Sequence, residues 1–424
     1  MPLEPGRRPR ILFLAHLLPW PLVGGGQIKS YHTLRILSLS YEVTLLAFIR
    51  RAEEAQFVDS LRPFCKGGIH VVRLPRGPLR DSGAALLSLL RHESFFMIRD
   101  RYSGMIVKAR ELLGDPDAPH PRFDAIHVDH LQMMSYIRDL PTRTMRVVLD
   151  NHNVEFRIPK RLSETPGGNP VFRAFLRGEW PKLRAFERRA CRDADHVLAV
   201  SKEDAAELTA LDPEALTGKI SVVPIGVDLD YWGSVRPDPG AMGILSIGTM
   251  YWPPNVDALR YFCADILPLI WETLPEARLT IVGARPTAAV RALAKAETRI
   301  TVTGSVPDVR PFAARDGGVF IVPLRSGSGM RVKILNAMAM GLPVVSTTVG
   351  AEGIDVVDGE NILLADEPAA FARAVVSLLG DRPRAARIGG AGRALMEARY
   401  GWDAVAVDLL RVYAGLLGTG GPPT

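Results

Sequence analysis

Short apolar runs alternate with amphipathic stretches along nearly the whole chain. Seven runs precede residue 228: "RILFLAH", "YEVTLLAF", "GIHVVRLP", "FDAIHVDH", "RVVLDNHN", "DHVLAVS" and "KISVVPIGV". Several are β-branched and nearly continuous, as strands buried on both faces of a parallel sheet require. A stretch dense in Pro and Gly follows, "VVPIGVDLDYWGSVRPDPGAMG", and then six further runs: "MGILSIGT", "ARLTIVG", "RITVTGSV", "GGVFIVPLR", "LPVVST" and "NILLA". Helical patterns such as that over 255–270 separate them. The pattern predicts an α/β chain of two successive Rossmann-like domains, each a doubly wound parallel sheet, over residues 1–228 and 229–400. An amphipathic last helix covers 401–418. Two such sheets facing a central cleft would suit the joining of two substrates.

The densest candidate chemistry lies in "GSGMRVKILNAMAMGLPVVST", residues 327–347. The run before it reads as a buried strand, and Ser328 or Gly329 can start a helix. Val332, Leu335, Met338 and Ala339 then fall at core-facing spacing. Gly341 and Pro343 sit where a helix stops. In such a unit the loop after the first strand opens at the sheet's carboxyl edge, where ligands of open α/β folds bind. Gly327 and Gly329 would expose backbone N–H groups to a phosphate at the positive end of the helix. Lys333 would neutralise the phosphate, and Asn336 would hydrogen-bond a neutral hydroxyl. A solvated Lys and Asn on an ordinary surface helix is the competing reading.

Other loops are expected at the same edges. Asn255 suits an N-cap. Val306 and Asp308 end a strand, where backbone groups could read a nucleobase or Asp308 could simply cap a helix. Glu352, between two glycines, could reach sugar hydroxyls or be an exposed turn acid. In the first half, Gly24, Gly25 and Gly26 form a costly triple between the first strand and its helix, suited to a close ligand or a mobile loop. Asp129, His130, His152, Asn153 and Glu155 crowd two neighbouring strand ends. The spacings match neither a P-loop nor G-x-G-x-x-G, and no nucleophile elbow is evident.

Charge alters this picture in one place. Residues 1–228 carry 33 of the 52 basic and 27 of the 46 acidic residues, so the whole net charge of +6 lies there. It concentrates in 156–192, where Arg and Lys interleave with Phe and Trp. That mixture suits an anionic membrane surface, or a helix whose Phe175, Leu176, Leu183 and Phe186 dock on their own domain. Nucleic acid is not the expected partner. The three cysteines, Cys65, Cys191 and Cys263, have no metal-ligand spacing and suggest no disulfide framework, favouring a reducing compartment. No metal is expected. The basic-then-apolar start imitates a signal peptide but reads better as a first buried strand.

Taken together, "VGGGQIKS", "DNHNVEF", "VLAVSKED", "VVPIGVDLDYW", "GTMYWPPNVDA", the 322–347 segment and "GAEGI" resemble the family-4 retaining glycosyltransferases of the GT-B fold, of the bacterial polysaccharide-biosynthesis type. The resemblance implies transfer of a sugar from a nucleoside diphosphate sugar to an acceptor hydroxyl, with retention of anomeric configuration. It implies a donor-binding second domain, an acceptor-binding first domain, a last helix crossing back to the first domain, and no obligatory cofactor or metal. His152, Arg331 and Lys333 would be catalytic. Gly25, Gly26, Gly248, Val306, Gly327, Ser328, Gly329, Asn336 and Glu352 would hold the donor, and Asp129, His130 and Asn153 would lie on the acceptor side.

The acceptor would be a glycan or lipid-linked saccharide, and the protein cytoplasmic, peripheral at the inner membrane face. Two departures stand out. The family commonly has two Glu where this chain has Ser328 and Asn336, and "GTMYWPPN" lacks the Arg and Lys that many members carry. A nucleotide-sugar epimerase of the same architecture and a non-catalytic nucleotide-sugar-binding subunit remain the alternatives.

Overall fold

The computed structural model describes residues 7–22, 24–115, 121–164, 169–238, 240–327 and 329–419. The chain divides into two compact units, Met1–Pro224 with Ala406–Thr424, and Ile225–Val405. All thirteen apolar runs form strands. In the first unit these are β1 (Arg10–Ala15), β2 (Glu42–Ile49), β3 (Gly68–Arg73), β4 (Ala125–Asp129), β5 (Arg146–Asn151), β6 (His196–Ala199) and β7 (Ile220–Val222). They make one sheet in the order β3-β2-β1-β4-β5-β6-β7. In the second unit β8 (Gly243–Ile247), β9 (Arg278–Val282), β10 (Ile300–Val302), β11 (Val319–Val322), β12 (Val344–Ser346) and β13 (Leu363–Leu364) pair in the order β10-β9-β8-β11-β12-β13. Every pairing in both sheets is parallel.

Parallel pairing explains the near-continuous apolar runs, since helices cover both faces. Ile11 to Ala15 and Val43 to Phe48 lose nearly all solvent contact, and only Thr44 is polar among them. Leu12, Leu14, Leu46, Ile126, Val128 and Leu149 belong to one core cluster. Ile244, Leu279, Ile281, Val319, Ile321 and Val345 belong to the other. Truncating any of these to Ala would cost about 2–5 kcal/mol.

Strand order reverses direction at one place in each sheet: between β1 and β4 in the first, and between β8 and β11 in the second. At such a switch point the outgoing loops diverge and leave a crevice at the carboxyl ends of the strands. The connections leaving β1 and β4 begin with Gly24 and the first turn of the next helix, Gly25 and Gly26, and with His130. The loops after β8 and β11 carry Gly248, Gly327 and Gly329.

The last helix, Trp402–Leu417, starts in the second unit and ends in the first. There Tyr413 is fully buried, its hydroxyl 2.7 Å from His127 Nδ1. The three cysteines are free. No described helix is long and apolar enough to cross a membrane.

Candidate functional site

Each switch point gathers a distinct set of groups. At the first, α1 (Gly25–Ser40) begins directly after Gly24. Gly25 and Gly26 therefore form the first turn of a helix instead of the open loop expected from three glycines. Their use is close approach: a Cβ on Gly26 would lie 3.0 Å from His130 Nε2 and 3.7 Å from His152 Nδ1. One turn further on, Lys29 and Ser30 point into the sheet's end, and both are buried. Ser30 Oγ donates to Asp129 (2.9 and 2.8 Å to its two oxygens), and Lys29 Nζ donates to Asp150.

His130, held at φ 75° immediately after β4, is in a backbone region that a non-glycine residue rarely adopts. That conformation sets its Nδ1 3.0 Å from Asp129 Oδ2. His152 follows β5, and its Nε2 lies 3.0 Å from Asp129 Oδ1. The two imidazole rings are 3.8 Å apart between centroids.

Two rings that close share one charge. Burial works against a cation on either. For His130 the Asp129 carboxylate overcomes it and raises the pKa. For His152 burial and then the His130 charge dominate, and the pKa falls. A proton entering the pair therefore settles on His130 ahead of His152. Burial opposes ionisation of Asp129 too, but His130 and His152 hold its carboxyl well below the usual range. Burial likewise opposes the charge on Asp150, and Lys29 is the largest influence keeping it ionised. His127 is pushed down to about 4 by burial and is neutral.

The trios Asp129, His130, His152 and His127, Asp129, Asp150 each bring ligand-type atoms within 4.8 Å of one another. Lys29, Ser30 and the histidines already engage those carboxylates. Asn153, half-buried, lies in the loop after β5. That loop is tied down by Glu187, which accepts from Asn151 Nδ2 at 2.7 Å and from the N–H groups of Glu155 and Phe156 at 3.0 and 3.1 Å. Burial pushes the Glu187 carboxyl up to about 8, with those donors pulling the other way.

The second switch point is built differently. The helix after β11 runs Val332–Ala339, capped by Arg331, and so starts later than the Ser328 or Gly329 expected. The reason is backbone geometry. Gly327 and Gly329 sit at φ 138° and 77°, which no right-handed helix accommodates. Ser328 lies outside the described residues. Gly329 therefore does not share a helix face with Lys333; only Lys333 and Asn336 do, three residues apart. The predicted helix stop holds, with Gly341 at φ 74° after the last turn.

Arg331 turns back so that its Nη1 donates to Gly329 O at 2.5 Å. A Cβ on Gly327 would fall 2.5 Å from the Arg331 guanidinium. Lys333 Nζ donates to Asn255 Oδ1 at 2.8 Å. Gly248 is the wall beside them, since a Cβ there would be 2.9 Å from that Nζ. Asn255 is not the expected N-cap. The helix Pro253–Tyr261 is capped by Trp252, and Asn255 sits inside its first turn, buried, donating to Thr249 O at 2.9 Å. Proline at the first helical position needs no N–H and moves the start forward. Burial, then the Arg331 charge, pushes Lys333 down to about 8. No carboxylate contacts Lys333 among the described residues.

Val306 is half-buried in the loop after β10, and Asp308 accepts from Arg310 N at 2.9 Å at the start of the next helix. Glu352 caps the short helix Thr348–Ala351 after β12. Lys29, Ser30, Asp150, Glu187 and Asn255 were missed as site residues. Lys29 and Ser30, in "GGGQIKS", carried a sequence signal because they follow the glycines by one helical turn, and Asp150 and Asn255 stand inside "DNHNVEF" and "GTMYWPPNVDA".

The basic 156–192 segment forms the helices Arg157–Glu164 and Pro170–Asp193. Leu176 and Leu183 are buried, Phe186 packs on the core, and Phe175 meets Phe95 at 5.6 Å. Arg188 and Arg192 pair with Asp212 at 3.0 and 3.3 Å. Most of its aromatic and basic alternation is therefore used within its own unit.

Two families match the chain. The one described as Glycosyltransferase Family 4 covers residues 34–231, and the one described as Glycosyl transferases group 1 covers 241–381. A Klebsiella pneumoniae protein described as an uncharacterized 44.6 kDa protein in the cps region is 23% identical over 87% of this chain and 90% of its own length. A D-inositol 3-phosphate glycosyltransferase of Xylanimonas cellulosilytica is 33% identical over 54% of this chain, and the match spans only 58% of that protein. Anabaena Alr3699/HepE, solved with UDP-glucose, superposes with a TM-score of 0.64 at 14% identity, covering 96% of this chain and 99% of that one. At that identity the likeness is one of fold, and the fold is GT-B.

Proposed function

The chain belongs to the glycosyltransferases, a family 4 domain followed by a group 1 domain, and from that premise we propose that it moves a sugar from a nucleoside diphosphate sugar to an acceptor hydroxyl with retention of anomeric configuration. The acceptor is a glycan or a lipid-linked saccharide, met from the cytoplasm by a protein peripheral at the inner membrane face. The first unit serves the acceptor and the second the donor.

The observation that carries this reading is Lys333. Its half-buried ammonium donates to a neutral amide, with an arginine nearby and no carboxylate in contact among the described residues, and burial, then the Arg331 charge, lowers its pKa. An anionic ligand is what restores the balance. The Gly327–Gly329 turn would let backbone approach a diphosphate closely, and Gly248 would leave room beside it.

As the bond from the anomeric carbon to the diphosphate oxygen breaks, negative charge grows on the leaving group. Arg331, Lys333 and the 327–329 amides stabilise it. The acceptor oxygen bonds to the same carbon from the same face and gives its proton to the departing phosphate. The two cations stand in for a metal, so none is obligatory. His152, its pKa lowered as described above, positions the sugar or acceptor by hydrogen bonding, with Asp129, His130 and Asn153 around it and Gly25 and Gly26 leaving space. Asn336 meets a ribose hydroxyl, Glu352 the donor sugar's hydroxyls, and the backbone at Val306 the base. Ser328 would add a hydroxyl to phosphate binding.

Asn336 also keeps the non-catalytic subunit open, because an amide gives a weaker hydrogen bond than a carboxylate. A panel of labelled nucleoside diphosphate sugars with a lipid extract separates the readings. Transfer to lipid or glycan is expected. Lys333→Ala should lower turnover by about 10²–10³-fold with the fold intact. Unchanged turnover in that variant, sugar isomerisation, or binding without turnover would each overturn the assignment.

A further inference from the structure

Helix α2 (Pro78–Arg91) is built the wrong way out for a surface helix. At 100° per residue, Leu79, Leu86 and Leu90 form one stripe, flanked by Leu87 and Leu89. A surface helix turns such a stripe inward. Here Leu79 is 92% exposed, and Leu86, Leu89 and Leu90 are 59%, 68% and 69% exposed, while the buried side is only Ala84 and Ser88. Ser88 fixes that orientation: its Oγ donates to Glu179 at 2.8 Å, and Lys182 donates to it at 3.0 Å. Val171 and Phe172, which open the helix Pro170–Asp193, are exposed as well.

A second observation lies along the flank of α2. A cavity of about 430 Å³ is lined by Arg80, Arg91, Arg101, Arg138 and Arg189, with Glu93 the only acid among the described lining residues. Arg101 pairs with Asp139, and Arg138 with Asp193. Arg91 and Arg189 have no carboxylate partner among the described residues, and Arg80 donates only to a backbone oxygen, that of Arg101. Met97 and Met134 make part of the wall apolar.

We infer that α2 is the membrane-contacting element of this protein: its leucine face enters the interface of an anionic bilayer, and the arginine-lined cavity receives a lipid phosphate. Exposed leucines with arginines at their flank are what an interfacial helix needs, and a cationic cavity beside them complements anionic headgroups. This deepens the membrane part of the function proposed above and moves the contact from 156–192 to α2.

The test is flotation of the full chain with vesicles of phosphatidylcholine alone or mixed with phosphatidylglycerol, with no donor or acceptor, so its failure is separable from failure of sugar transfer. The wild type should float with the mixed vesicles. Leu86→Glu with Leu90→Glu should lower binding by about 50-fold. Arg91→Gln with Arg189→Gln should remove about 25-fold of the preference for phosphatidylglycerol. Both variants should keep the wild-type melting curve. Absence of flotation by the wild type, or undiminished flotation by the leucine variant, would overturn the inference. So would a wild type that sediments as a dimer and does not float, with a monomeric leucine variant, since a second copy would then cover the face.

Discussion

The two switch points occupy the same place in two similar sheets and solve opposite electrostatic problems. At the first, every buried cation has its anion: Lys29 has Asp150, and His130 has Asp129. At the second, Lys333 donates to the neutral Asn255 Oδ1, and no carboxylate contacts it among the described residues. A site that closes its own charge balance is a scaffold that orients neutral groups such as His152. Lys333 has no such anion among the described residues, and the function proposed above supplies one from outside.

The sharpest way to break this comparison is to remove one charge from each site and follow stability. Asp150→Ala strands Lys29 in a dry interior and should cost about 3–5 kcal/mol in urea unfolding. Lys333→Met should leave the melting temperature unchanged or raise it, because no buried anion loses its partner. Equal losses in the two variants would erase the distinction.

A smaller effect separates the sites by pH. His127 titrates near 4 in the fold against about 6.5 when unfolded. The unfolded chain therefore takes the proton first, and stability is lost as pH falls from 6.5 toward 4. His152, lowered in the same sense, adds to the loss. His130, raised, works against it, contributing stability at low pH that disappears as pH rises through its folded value. Between pH 7 and 5 the His127 share is about 2 kcal/mol. His127→Gln should flatten that slope, as urea melts at the two pH values will read.

The smallest effect sharpens the second site. Lys333, near 8 when nothing is bound, should rise once an anion lies beside it. Affinity for the tightest of UDP, GDP and ADP should then fall as pH rises through 8, by about fivefold between pH 8 and 9. Calorimetry on the wild type and Lys333→Met tests this. The variant should bind more weakly at pH 7 and lack the slope.

Much of this was legible beforehand. The thirteen runs became the thirteen strands because burial on both faces leaves no polar alternation to misread. Gly341 ended its helix where periodicity put it. Helix starts were harder to read. Asn255 looked like a cap, but Pro253 moved the helix forward and left the amide free to hold Lys333. Gly329 looked like a helix start, but its positive φ belongs to the preceding turn. Glu187 carried no signal, since its partners are distant in sequence, and Asp150, although it opens "DNHNVEF", read as the end of a plain core strand.

By itself, the sequence determined the two parallel sheets, their glycine turns and the lysine on the helix after β11, since periodicity and backbone freedom are local properties. The tertiary structure decided which charges meet. Whether Lys29 is neutralised and Lys333 is not, and whether the leucines of α2 face core or water, depends on neighbours up to 121 residues away that no local pattern specifies.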